Sequence, residues 1–161
     1  GTREASAINE ARRYGINLHL LMAHLAPPRR APEKGALQGM LGLTWDEFEP
    51  LWQDAMAVLG AEPLRRFFDP MQYLNAYNEL PYVTAAGESR RIDRLVEFED
   101  GVWILDYKTT EAAPERDLER CAAPYHGQLR EYRAALQPVY PGKPVHCALI
   151  FSDARFYLLR D

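Results

Sequence analysis

The order of secondary-structure patterns along the chain predicts an α/β fold, with a mixed central β-sheet flanked by helices. Three observations lead to this prediction. Apolar residues recur at helical spacing in the first part of the chain, the alternation typical of strands begins near Leu74, and one helical segment precedes the last two strands. The 161 residues, 47% of them hydrophobic, suit one domain, 1–161, in which 1–72 is mainly helical and 73–161 forms the sheet core.

Three helices are predicted before the first strand. The second opens with a capping box, Thr44 with Glu47 three residues later, and Gly60 is placed to end it. Prolines and glycines predict a loop between the first two helices. In chain order the predicted segments are a helix at about 6–26, the loop at 27–43, and helices at 44–60 and about 63–68.

The remaining segments alternate between strands and one long helix. Pro124 suits the first turn of that helix, since proline lacks the N–H that a first turn leaves unpaired. The predicted strands cover about 74–83, 90–99, 102–108, 145–151 and 155–160, with a charged loop at 111–119, the helix at about 124–137 and a turn at 140–144. The apolar stripe of the helix comprises Tyr125, Leu129, Tyr132 and Leu136.

Composition and charge bound the possible functions. The net charge of −4 does not indicate a strong independent nucleic-acid binder. Cys121 and Cys147 match no metal-binding spacing, which favours two reduced thiols. No apolar run approaches the roughly 20 residues of a membrane helix, and no signal-peptide pattern opens the chain. We therefore expect a cytoplasmic protein without a membrane partner.

The stretch IDRLVEFEDGVWILDYKTT, residues 92–110, predicts a β-hairpin. Asp100-Gly101 favours a two-residue type I′ turn, which would set Leu95 opposite Asp106 and Asp93 opposite Lys108. Because side chains alternate between the two faces of a strand, each face of the hairpin carries a different group of side chains. One predicted face holds Ile92, Val96, Phe98, Trp103, Leu105 and Tyr107. The other holds Asp93, Leu95, Val102, Ile104, Asp106 and Lys108.

The charged residues of the second face predict a site. Asp93 and Asp106 would lie diagonally, roughly 7–8 Å apart, so that their carboxylates could converge on one ion. Neighbouring carboxylates repel unless a cation joins them, and Mg²⁺ favours such oxygen ligands. Such a metal could polarise a phosphodiester and lower the pKa of a bound water, and Lys108 could orient or deprotonate that water or neutralise transition-state charge. A buried salt bridge without catalysis remains an alternative.

At this point the motifs resemble the PD-(D/E)XK nuclease superfamily and, more narrowly, the RecB-like nuclease domains of bacterial helicase–nuclease subunits of the exonuclease V beta and AddA types. The resemblance spans five motifs in family order and implies a restriction-endonuclease-like core. They are GINLH at 15–19, NELPY at 78–82, the IDR at 92–94, DYKTT at 106–110 and YHGQLREY at 125–132.

The resemblance also implies site residues. His19, Asp93, Asp106 and the backbone carbonyl of Tyr107 would bind Mg²⁺, for which Mn²⁺ could substitute, and Lys108 would be the catalytic lysine. The further residues carried over to the site are Gln128, Tyr132 and Glu79. Three alternatives stay open: His24 borders the same helix stripe as His19, Tyr132 also suits the core, and Glu79 could only hold a neighbouring arginine.

The implied activity is a DNA exonuclease acting in DNA recombination or repair, on single-stranded DNA delivered by an attached helicase. The chain would then be a piece of a longer helicase–nuclease polypeptide, with a second subunit as a possible partner. Two cysteines cannot supply the four that hold an iron–sulfur cluster in some relatives, so no cluster is expected. The alternatives are a catalytically silent DNA-binding or docking module and a structure-specific endonuclease of the same superfamily.

Overall fold

A computed structural model describes residues 1–109 and 117–160 of the chain. A five-stranded mixed sheet in the order β1-β2-β3-β4-β5 is flanked by helices, which confirms the predicted fold class. The strands are β1 Asn75–Val83, β2 Ser89–Phe98, β3 Gly101–Lys108, β4 Val145–Phe151 and β5 Phe156–Leu158. The helices are α1 Thr2–Leu25, α2 Lys34–Leu41, α3 Trp45–Gly60, α4 Arg65–Phe68, α5 Leu118–Ala122 and α6 His126–Leu136. No helix in these described ranges is long and apolar enough to cross a membrane.

One predicted loop was wrong, and another was wrong only at its end. The segment 27–43 contains α2, which buries Leu37 in the core and ends at Gly42 in a left-handed conformation. Its glycines at 35 and 39 suggested a loop, but tertiary burial outweighs their weak helix propensity. The charged segment 111–119 lies partly outside the described residues, and its end begins α5, where the Asp117 side chain caps the Glu119 N–H.

The capping box of α3 forms as predicted. Thr44 Oγ1 accepts a hydrogen bond from the Glu47 N–H, and a Glu47 carboxylate oxygen accepts one from the Thr44 N–H. At the other end of the chain, the predicted helix at 124–137 is shorter as an α-helix, because 3₁₀ turns at Ala123–Tyr125 and Gln137–Val139 flank α6. Leu129, Tyr132 and Leu136 of its predicted stripe are buried.

The hairpin register differs from the prediction by two residues. Phe98 pairs with Gly101 and Arg94 with Leu105, so the turn residues are Glu99 and Asp100. Neither has the positive φ that a type I′ turn requires. A two-residue shift preserves which face each side chain takes, whereas a one-residue shift would reverse it. The register therefore brings Asp93 across from Asp106, and the predicted pairing of Asp93 with Lys108 was wrong.

Each face of the sheet carries its own core. Val96, Phe98, Leu105 and Tyr107 pack with α1 and α3, and Leu95, Val102 and Ile104 pack with α6. Ile92 was predicted on the first face but packs on the second, because the side-chain alternation of β2 breaks at Asp93. Strands β3 and β4 are parallel, and parallel neighbours require a crossover. Helix α6 lies in this crossover and packs on the face toward which Asp106 and Lys108 point.

Candidate active site

The carboxylate of Asp93 lies where the pairing of β2 with β3 ends. The regular ladder stops at Arg94 and Leu105, and beyond it Asp93 Oδ2 accepts a hydrogen bond of 2.8 Å from the Tyr107 N–H. A side-chain oxygen thus takes the place of a main-chain acceptor. The carboxylate is held in the gap between the two strands, within reach of both faces of the sheet.

His19 approaches this carboxylate from α1. Its Nε2 lies 3.1 Å from Asp93 Oδ2, and its Nδ1 lies 2.6 Å from the carbonyl oxygen of Gly15, one turn earlier. A proton on Nδ1 that is donated to Gly15 leaves Nε2 as the nitrogen able to bind a metal. In the described part of the chain, His19 rather than His24 is the α1 histidine within ion-pair distance of a carboxylate.

The surroundings of His19 favour its protonated form. Burial lowers the pKa of His19, but its hydrogen bond with Asp93 and the negative charges of Asp93 and Asp106 raise it more, to about 9. At neutral pH the imidazole is therefore charged and paired with Asp93. A divalent cation at Nε2 would have to displace that proton.

Asp106 is a buried carboxylate with an incomplete set of partners. The residue is 2% exposed, and Tyr132 Oη lies 3.3 Å from its Oδ1. Lys108 Nζ lies 2.9 Å from Oδ2, but this oxygen accepts no hydrogen bond, so the contact is an ion pair without hydrogen-bond alignment. Burial and the charge of Asp93 raise the pKa of Asp106 more than Lys108 lowers it.

Helix α6 contributes the groups that surround Lys108. Gln128 Oε1 accepts a hydrogen bond of 3.1 Å from Lys108 Nζ, and the Tyr125 ring centroid lies 4.5 Å from the same nitrogen. Gln128 contacts Lys108 and Tyr132 contacts Asp106. Both contacts are possible because Gln128 and Tyr132 lie one turn apart on one face of α6. The sequence analysis placed Tyr125 only on the apolar stripe of the helix and not at the site, although it lies three residues before Gln128 in the helix motif.

Two other predicted site residues lie less directly at this centre. Glu79 and Asp93 lie between the same two pairs of the β1–β2 ladder but are not themselves paired. The Glu79 carboxylate lies 3.7 Å from Arg91 Nη1, and its backbone has a φ of 53°. The Tyr107 ring packs edge-on against the His19 ring at 6.1 Å between centroids. The backbone N–H of Tyr107 donates a hydrogen bond to Asp93. A metal-binding role for the Tyr107 carbonyl stays a prediction.

The donors present fit a divalent cation, although they are not arranged as a preformed cage. Within 1–109 and 117–160, no three His, Cys, Asp or Glu side chains lie as a ready metal-binding group. The buried Oδ2 of Asp106 lacks a hydrogen bond, and the carboxylate of Asp93 is close enough to raise the pKa of Asp106. Two repelling carboxylates beside one imidazole nitrogen are a chemically reasonable N,O,O set for such an ion.

Comparison with known protein families decides the membership of this chain. The family model of the PD-(D/E)XK nuclease superfamily matches residues 1–157. The chain belongs to the PD-(D/E)XK nuclease superfamily. That membership supports a nuclease-like function and covers the predicted core and all five motifs. A search of curated proteins found no match, so the narrower RecB-like assignment remains a prediction.

Proposed function

We propose that this PD-(D/E)XK domain is a Mg²⁺-dependent deoxyribonuclease that hydrolyses phosphodiester bonds in single-stranded DNA. The observation that carries the proposal is a pair of contact chains that meet at adjacent residues of β3. One runs from His19 on α1 through Asp93 on β2 to the Tyr107 N–H, and the other runs from Asp106 through Lys108 to Gln128 on α6. Residues from four separate elements converge there, and a surface charge cluster has no reason to bury a carboxylate this deeply.

In this proposal His19 Nε2, Asp93, Asp106 and the Tyr107 carbonyl would hold the cation. When bound, the cation supplies Lewis-acid polarisation of the phosphate and lowers the pKa of a water. Asp93 is already fixed by the Tyr107 N–H, and Tyr132 contacts Asp106 Oδ1. These contacts limit the rotation of both carboxylates before a cation arrives, which reduces the entropy lost on binding.

Lys108 would act on the reacting phosphate or its attacking water. Its ammonium is held by Asp106 Oδ2 on one side and by Gln128 Oε1 on the other, over the Tyr125 ring. The side chain is 19% exposed, so it is fixed within the fold yet remains accessible to a substrate. It could orient the water, remove its proton, or neutralise charge that develops on the phosphate.

The finer assignments rest on the motifs and on charge. The GINLH histidine contacts Asp93 and the Gln–Tyr pair of α6 contacts β3, which supports a RecB-like exonuclease of recombination or repair. A net charge of −4 disfavours strong independent capture of DNA, since affinity for the phosphate backbone comes largely from basic residues. We therefore propose that an attached helicase, with a possible second subunit, delivers the strand.

A cleavage assay with matched lysine variants tests this function. Linear and circular single-stranded DNA are incubated with the protein and Mg²⁺ or Mn²⁺, with EDTA and Lys108→Ala as negative controls. Lys143→Ala is the matched control, because Lys143 donates to the Phe98 carbonyl at the turn end of the hairpin. We expect cleavage of the linear strand only, retained in Lys143→Ala and lost in Lys108→Ala. Activity that survives in Lys108→Ala would exclude this site.

The competing function is a silent DNA-binding or docking module. His19 lies 3.1 Å from Asp93 and Lys108 lies 2.9 Å from Asp106, and such pairing is what a purely structural site would need. Calorimetry with Mn²⁺ separates the two: binding that disappears in Asp93→Asn supports the nuclease, and no binding at millimolar Mn²⁺ supports the silent module. Cleavage of the circular strand would instead favour a structure-specific endonuclease.

A further inference from the structure

Arg94 is a fully buried cation without an anionic partner in the described part of the chain. The residue is 0% exposed, yet the acceptors of its hydrogen bonds are two backbone carbonyls and one amide oxygen, all of them neutral. Its Nε and Nη2 donate to the Phe67 carbonyl at 3.0 and 2.7 Å, and its Nη1 donates to the Pro27 carbonyl and, at 2.7 Å, to Asn78 Oδ1. Burying an unpaired guanidinium is unfavourable, so this arrangement calls for a reason beyond packing.

Asn78 links Arg94 to the end of α1. Its Nδ2 donates to the carbonyls of Ala23, at 3.3 Å, and of Ala26, at 2.8 Å. In a continuing helix the Ala23 carbonyl would accept from residue 27, but Pro27 has no N–H. Ala23 is 8% exposed and Ala26 0%, so water is a poor substitute donor. The Asn78 amide therefore completes a helix end that proline leaves unsatisfied.

One end of this hydrogen-bond network lies near His19, and the other end lies next to Asp93. Ala23 follows His19 by one turn on the same face of α1, about 6 Å along the axis. Arg94 directly follows Asp93 on β2, and Asn78 pairs with Arg94 in the β1–β2 ladder. The contacts thus tie the helix turn beside His19 to the strand residue beside Asp93.

We propose that Arg94 and Asn78 are positioning residues, which hold α1 against the sheet so that His19 Nε2 and Asp93 can bind the same divalent cation. The inference rests on the proposed metal-dependent function and adds to it two residues that act through α1. Arg94 suits this task because its planar fork joins three separate segments through a single side chain: Pro27 just after α1, Phe67 in α4 and Asn78 in β1.

The substitution Asn78→Asp distinguishes the contact of Asn78 with Arg94 from its contacts with the end of α1. The introduced carboxylate can still accept from Arg94, and it supplies the missing counter-charge. It cannot donate to Ala23 and Ala26, and its second oxygen would face their carbonyls. The variant therefore keeps Arg94 paired while it weakens the attachment of α1. Asn75→Asp is the matched control, since Asn75 lies on the same strand, is exposed, and contacts Glu97 instead.

The test measures the metal site directly with Mn²⁺ as the probe. Calorimetry gives the Mn²⁺ affinity, and pulsed electron paramagnetic resonance detects ¹⁴N modulation from an imidazole bound to Mn²⁺. We expect Asn78→Asp to bind Mn²⁺ at least about tenfold more weakly and to lose the imidazole signal, as His19→Ala does. Asn75→Asp should match the wild type in both measurements.

The possible failures can be told apart. A wild-type protein that binds no Mn²⁺ would overturn the proposed function itself. A wild type that shows the imidazole signal, with the affinity and the signal both retained in Asn78→Asp, would overturn only the positioning role. Should Asn78→Asp not fold, Arg94→Lys decides by the same two measurements, because a lysine keeps the charge but cannot span Phe67, Pro27 and Asn78 together.

Discussion

The two ends of the β2–β3 hairpin are built from the same strands but differ in nearly every physical respect. At the turn end the ladder is regular from Val96 with Trp103 to Phe98 with Gly101, and Val102 is fully buried. At the far end the ladder stops, an aspartate side chain bonds a main-chain N–H, and a second carboxylate is buried without a full set of partners. Regular pairing and apolar burial stabilise the first end. The second end keeps two carboxylates close together, and the charge of Asp93 raises the pKa of Asp106 there. This arrangement agrees with the cation site that we propose, because a bound cation would relieve the repulsion.

The largest expected effect comes from removing one carboxylate at the far end. Asp106→Asn should reduce DNA cleavage about 1000-fold while the free energy of unfolding of the metal-free protein at pH 8 is unchanged or increases. The reason is that the substitution removes a charge that we propose binds the metal, and it also removes the repulsion with Asp93. Cleavage kinetics and urea unfolding measure the two effects.

Asp153→Asn is the control for Asp106→Asn, since Asp153 pairs with Arg155 at 2.7 Å outside the site and should leave cleavage intact. A large loss of stability in Asp106→Asn would contradict the comparison, because it would mean that the buried carboxylate stabilises the fold.

A substitution at the turn end should instead decrease the stability of the fold and leave the metal affinity unchanged. Phe98→Ala removes a 9% exposed ring that packs against Phe67 at 6.1 Å, and should decrease the free energy of unfolding by about 3 kcal/mol. The Mn²⁺ affinity of the folded variant should stay within twofold of the wild type. A clear decrease in affinity would show that the two ends are energetically coupled.

A smaller effect is expected from pH in the metal-free protein. The pKa of His19 is about 9 in the fold and 6.5 as its ordinary value, so protonation stabilises the fold fully below pH 6.5 and this contribution is lost as pH rises through 9. We expect a decrease in the free energy of unfolding of about 1 kcal/mol between pH 6.5 and 9, since the side chain is partly solvated.

The same titration in His19→Gln isolates the His19 contribution, because the raised pKa of Asp106 acts in the same direction in both proteins. A pH dependence that is identical in His19→Gln would contradict the His19–Asp93 interaction.

The smallest expected change concerns Glu79, whose role the sequence left open. Glu79→Gly should increase the free energy of unfolding by about 0.5 kcal/mol, because glycine adopts a φ of 53° without the steric cost that glutamate has. The lost contact with Arg91 is exposed and contributes little. Unchanged cleavage would mean that Glu79 only pairs with Arg91, and a strong loss of cleavage would mean that Glu79 contributes to the active site.

The sequence was informative wherever a local pattern decides the structure. The capping box predicted the start of α3, strand alternation predicted most faces of the hairpin, and β4 was predicted with its observed bounds. It was less informative where burial overrides propensity, as in α2, and where a polar side chain replaces a main-chain acceptor, as at Asp93. Arg94 was overlooked because a charged residue next to a site aspartate gives no sign in the sequence that it is buried.

By itself the sequence determined the fold class, the superfamily motifs and the side of the hairpin on which Asp106 and Lys108 lie. The face of each side chain could be predicted despite the error in register, because a shift of two residues does not change the face. Only the tertiary structure decided that His19 rather than His24 meets Asp93, that Asp106 is buried without a full set of hydrogen bonds, and that Arg94 and Asn78 join α1 to the sheet. These features depend on how a helix docks on a strand far away in sequence, and that geometry results from the packing of the whole chain.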